Sequence, residues 1–145
     1  MKVRRGIAIA ACAAAVGLSG CGESCPTETP KVEAFATSGC TATPGATVTV
    51  PLRLCPTCNQ TAASCDVDVS QASRSNEIFL DPVVEACQSA SSCPPTCDPN
   101  AINCSFAAPS QPGRYDLIVF DPATNTTLQE QLDVVASGPT SCSGI

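Results

Sequence analysis

Twelve cysteines in 145 residues, with no histidine and no tryptophan, constrain this chain more than any other feature. The large apolar side chains are few: four Phe, one Tyr and one Met stand in a chain dominated by smaller residues. Buried apolar surface contributes about 25 cal/mol per Å², so small side chains leave a small domain short of stabilising area. Disulfides compensate, at about 2–4 kcal/mol each, chiefly by restricting the unfolded chain. A framework of bridges in turn implies an oxidising compartment outside the cytoplasm.

The first residues agree with export. Lys2, Arg4 and Arg5 precede residues 6–18, which are small and almost wholly apolar. That stretch is shorter than the roughly 20 residues of a membrane-spanning helix, and its basic flank fits a helical secretory leader. It ends in Leu18-Ser19-Gly20-Cys21. This order resembles the signal peptide and lipobox of bacterial lipoproteins. The resemblance implies removal of residues 1–20, a diacylglycerol thioether on Cys21 and, in many members, a third acyl chain on the new amino terminus. More than one chain gives stable anchoring. Gly22 stands where an aspartate would signal retention in the inner membrane, so the resemblance places the protein at the outer membrane. The earlier Cys12 has too little apolar length before it for the same role.

Three regions follow: a signal peptide (1–20), a lipidated tether (21–30) rich in Gly, Glu, Thr and Pro, and a cysteine-rich domain (31–145). Ten cysteines remain for bridges: Cys25, Cys40, Cys55, Cys58, Cys65, Cys87, Cys93, Cys97, Cys104 and Cys142. Their pairing is left open by the sequence. From residue 21 onward Lys31, Arg53, Arg74 and Arg114 face thirteen acids, a net charge of −9. Such a surface excludes phosphate-backbone binding, which requires clustered Lys and Arg, and adds no electrostatic contact with an anionic membrane.

The domain reads as strands and turns without an amphipathic helix. Residues 47–54 alternate, with Val48, Val50, Leu52 and Leu54 on one face, as a half-buried strand does. Pro51 assigns that strand to an edge or a bulge. Cys65, Val67 and Val69 repeat the alternation, with Asp66, Asp68 and Ser70 outward. Residues 32–37, Ile78 with Leu80, and Val83-Val84 suggest further strands. Ser38-Gly39 and Thr43-Pro44-Gly45 are turn signals. Residues 114–120 and 127–135 form an antiparallel hairpin around a turn at 121–126. Residues 89–103, rich in Ser, Pro and Cys, read as an irregular loop, with Ser105-Phe106 returning to a sheet.

About seven short strands fit an all-β sandwich. Pro112-Gly113-Arg114-Tyr115-Asp116-Leu117-Ile118-Val119 resembles the penultimate strand of immunoglobulin-like domains. The resemblance implies a disulfide-rich immunoglobulin-like β-sandwich, with the Tyr115 hydroxyl bonded to backbone at the preceding corner. Leu117 replaces the cysteine of antibody domains.

Without histidine there is no Ser-His or Cys-His nucleophile and no histidine metal site. Cys55-Pro56-Thr57-Cys58 has the spacing of a redox dithiol, but residues 59–64 are too short and polar for the helix that lowers such a thiol's pKa. Cys55, Cys58, Cys93 and Cys97 also match a four-thiolate zinc site by spacing, although thiolates oxidise in this compartment. Asp66 and Asp68 share a strand face, and Asp81 and Glu85 lie close together. With a loop acid, the first pair has the chemistry for calcium but lacks its glycine-containing ligand loop. Asn125-Thr126-Thr127 is formally a glycosylation sequon. The expectation is therefore a non-enzymatic, lipid-anchored envelope module. It has no cofactor beyond its acyl lipid and no nucleic-acid partner, and it binds an envelope protein or glycan through loops such as 89–103. The alternatives are an exported thiol–disulfide oxidoreductase using Cys55 and Cys58, and a calcium-binding adhesion-type module.

Overall fold

The computed structural model describes residues 25–57, 59–87 and 100–144. Cys12, Cys21, Cys58, Cys93 and Cys97 lie outside these residues, as do the leader, residues 21–24 of the predicted tether and most of the predicted 89–103 loop.

The chain begins with β1 (Thr27–Glu28), β2 (Val32–Phe35), β3 (Thr37–Ala42), β4 (Thr47–Leu54) and β5 (Gln60–Asp68). A single helical turn, α1 (Ala72–Ser75), leads to β6 (Glu77–Ala86). Then come β7 (Asn100–Ala107), β8 (Gly113–Asp121), β9 (Thr126–Val134) and β10 (Ser141–Gly144). The strands form two sheets. The smaller has the order β2-β4-β7. The larger runs β6-β8-β9-β3-β10, with β5 and β1 also paired to β6.

The alternation in β4 sets the core. Val48, Val50, Leu52 and Leu54 are fully buried, opposite Phe106, Cys104, Ile102 and Asn100 of β7. Against them the larger sheet turns inward Ile78, Leu80 and Val84 of β6, Leu117 and Val119 of β8, and Leu132 and Val134 of β9. Alternate residues of each strand point to opposite sheet faces, so two half-apolar sheets bury one shared layer.

Pro51 lies in the central strand of the smaller sheet, not at its edge. Its carbonyl accepts the Ala36 N–H at 2.9 Å, and its missing donor faces the same side. β2 has ended at Phe35, opposite Leu52, so the proline sits where a ladder bond is not needed. At Ala36 the chain passes from the smaller sheet to the larger. Ser38 and Gly39 consequently continue β3 rather than turning; Gly39 lies within the strand at φ +132°. Thr43-Pro44-Gly45 is the expected turn. Ala46 N–H donates to the Thr43 carbonyl at 3.0 Å, and Gly45 takes φ +74°, as a type II turn requires.

The topology departs from the immunoglobulin order. That fold consists of two antiparallel sheets. Here β3 is parallel to β9, and β6 is parallel to β8. The strand after β4, β5, goes to the far side of β6, and β6 takes the place beside β8. Residues 78–84 form one strand through Pro82 rather than two. Pro82 falls between the stretch of β6 bonded to β8 and the stretch bonded to β1. Residues 100–103, expected in the irregular loop, belong to β7.

Three disulfides staple the described residues. Cys65–Cys104 joins β5 of the larger sheet to β7 of the smaller. Cys40–Cys142 joins directly opposed residues of β3 and β10. Cys25–Cys87 ties the start of the body to the end of β6. The Thr37 hydroxyl, buried beside the second bridge, donates to the Ser143 carbonyl at 2.6 Å.

Asp121 is a buried polar anchor at the end of β8. Its carboxylate accepts the Ala123 N–H at 3.2 Å, the Thr124 hydroxyl at 2.5 Å and the Val32 N–H at 3.4 Å. It thereby fixes the β8–β9 turn and links it to β2. Burial raises its pKa, but the hydrogen bonds from Thr124, Ala123 and Val32 outweigh that and hold it below the ordinary carboxylate value.

Two outcomes follow from this frame. Replacing Cys65 and Cys104 together by Ala lowers the unfolding free energy by about 2–5 kcal/mol, read by guanidinium denaturation. Asp121→Asn lowers it by about 1–3 kcal/mol at neutral pH. A depressed folded pKa means that this contribution is complete above the unfolded value of about 3.9 and disappears as pH falls through the folded value. The gap between wild type and Asp121→Asn should therefore close below that value in denaturation series run at falling pH.

Candidate interaction face

The outer face of the larger sheet carries the most unusual surface. Phe79 of β6 is 38% exposed and Phe120 of β8 is 46% exposed. The registers Phe79↔Ile118 and Phe120↔Thr127 set them on one face, with Ile118 directly beside Phe79 and Phe120 two residues further along β8. Together with Asp66, Asp68 and Asp81 they line an open hollow of about 690 Å³. A sheet's solvent face is ordinarily polar, so two bare phenylalanines on one face with Ile118 mark a contact surface. A smaller hollow of about 240 Å³ lies at the other end, between α1 and the loop before β8.

Strand pairing brings together acids that are distant in sequence. Asp66 of β5 lies directly opposite Asp81 of β6, and Asp68 opposite Phe79. Glu77 of β6 lies opposite Asp116 of β8. Like charges directly opposed across a strand pair are destabilising. Among the described residues, no base lines the hollow. Arg114, the base on the same face of β8, is bound to Asp133 at 3.2 Å. The Asp68 carboxylate accepts the Ser70 N–H at 2.8 Å, and that bond lowers its pKa.

The other residues singled out by the sequence fall elsewhere. Tyr115 is buried, and its hydroxyl donates to the Gln111 carbonyl at 2.8 Å, closing the corner before β8. It is a structural residue and faces the core. Cys25, Cys40, Cys65, Cys87, Cys104 and Cys142 form the three bridges, and Cys55 is also disulfide-bonded. The described residues after Cys55 lead into strand β5 and form no helix whose terminus could activate a thiol. Asp66 and Asp68 do not gather a loop acid: among the described residues, no three acidic or cysteine side chains converge on a metal-sized site. Asn125 sits in the β8–β9 turn at φ +54°, a conformation that asparagine tolerates.

Sequence reasoning paired Asp66 with Asp68 and Asp81 with Glu85, each along its own strand. It missed the cross-strand contact of Asp66 with Asp81, because register between strands is not written in either strand alone. It also missed Phe79 and Phe120. The signal was present: each phenylalanine is out of phase with the buried Ile78, Leu80, Val119 and Asp121 of its strand.

The chain matches no protein-family model, no curated protein and no solved structure.

Relieving the opposed carboxylates should stabilise the fold. Asp81→Asn is expected to raise the unfolding free energy by about 0.2–1 kcal/mol at low ionic strength. Added salt should shrink that gain, as urea denaturation at two salt concentrations will show.

Proposed function

We propose that this protein is an exported, lipid-anchored envelope module that works by binding, with the outer face of the larger sheet as its contact surface. The three disulfides among its described residues belong to an extracytoplasmic setting. The lipobox resemblance at Cys21 supports the anchor and an outer-membrane location. The observation that carries the binding role is the exposed Phe79–Ile118–Phe120 surface, edged by carboxylates and set on a rigid, stapled sheet.

The arrangement suits recognition better than turnover. The hollow is open to solvent, so charges in it are screened by water rather than strengthened by a dry site. A sheet holds side chains at fixed spacings, which favours an extended partner.

Two experiments test the two parts. Cys21→Ser should move the protein from the membrane fraction to the soluble envelope fraction, with its disulfides intact; retention on the membrane contradicts the anchor. A photo-reactive residue at position 120 should give a discrete cross-linked adduct in intact cells. The same residue at exposed Thr49, on the opposite sheet, should give none. Equal yields at the two positions contradict the assignment of the face.

A further inference from the structure

Resting on that binding role, we infer the chemistry of the partner: a cationic polypeptide segment whose apolar side chains seat on Phe79, Ile118 and Phe120 while its Lys or Arg side chains meet Asp66, Asp68 and Asp81. The face is an apolar strip with carboxylates on one flank and, among the described residues, no base in its lining. Asp66 and Asp81 are directly opposed and have no ion-pair partner among the described residues. A second like-charged pair, Glu77 and Asp116, continues the acidic surface across β6 and β8. Like-charge pairing costs the free protein stability, and a bound cation removes that cost. Exposed Phe rings add a favourable surface for Lys or Arg.

Charge complementarity separates this occupant from the others. A second copy of the chain would bring the same carboxylates onto this face, with repulsion across the contact. An anionic lipid surface is repelled in the same way. A bare divalent cation would leave the phenylalanines exposed. A basic, partly apolar segment answers both features of the face.

The test uses the full chain, exported from its host so that the bridges form, and a labelled peptide of about nine residues, the length of one strand, alternating lysine with valine. Fluorescence anisotropy should show binding that weakens as salt rises. The Asp66→Asn/Asp81→Asn double variant, whose fold gains stability, should bind at least about tenfold more weakly, or about 1.4 kcal/mol. Phe79→Ser/Phe120→Ser should weaken binding by a similar factor. A glutamate–valine peptide should not bind, and a lysine–serine peptide should bind at least about tenfold more weakly than lysine–valine. Equal binding of the lysine and glutamate peptides overturns the inference, as does lysine–valine binding unchanged in both double variants. It is also overturned if the face instead dimerises the protein, binds anionic vesicles, or binds calcium with loss in Asp66→Asn/Asp81→Asn. A cross-link from position 120 without peptide binding removes the cationic partner and leaves the binding role standing. Equal cross-linking at positions 120 and 49 removes the face assignment itself.

Discussion

The bridge between Cys65 and Cys104 is the constraint on which the rest of the structure depends. It is a covalent link between the two sheets, from β5 at the margin of the larger sheet to β7 at the margin of the smaller. The layer it spans is made of Val, Leu and Ile with few aromatic rings, and such a layer alone contributes modestly. With β5 fastened, β6 is held beside it, and β6 in turn fixes β8 in parallel register. Cys40–Cys142 performs a comparable task for β3 and β10. The bridges thus hold together strands that are neighbours in space but far apart in sequence, where loop-closure entropy is greatest.

The same β5–β6 pairing that secures the core builds the acidic side of the interaction face. Asp66 and Asp68 point out because Cys65 and Val67 point in. Once Cys65 is committed to the bridge, the register leaves Asp66 against Asp81. A chain selected for stability alone would place a base on one side of that pair. Its persistence beside two exposed phenylalanines is the local inconsistency expected where a surface serves a partner. The stapled frame tolerates it, since about 1 kcal/mol of surface repulsion is small beside the contribution of one bridge.

What was legible in the sequence was local. Strict alternation at Val48, Val50, Leu52 and Leu54 gave β4 and its buried face. The Asp121–Thr126 turn gave the β8–β9 hairpin, and the Gly-x-Tyr segment pointed to the corner closed by Tyr115 and Gln111. The errors came from tertiary context. Gly39 reads as a turn but lies in a strand, and Pro51 reads as an edge residue but lies in a central strand. Both follow from the passage of the chain between sheets at Ala36. Pro82 reads as a break between two strands, yet it is fully buried in phase with Ile78, Leu80 and Val84 and falls where β6 changes neighbours. The parallel placement of β6 beside β8 had no local signature. Nor did the pairing of Asp66 with Asp81, on which the candidate site depends.

The most direct measurement of this account is a disulfide map of the exported protein, made by proteolysis without reduction and mass spectrometry of the linked peptides. The account predicts Cys65 joined to Cys104, together with Cys40–Cys142 and Cys25–Cys87. Cys65 found free, or joined to any cysteine other than Cys104, would contradict the link between the sheets and, with it, the register that assembles the interaction face.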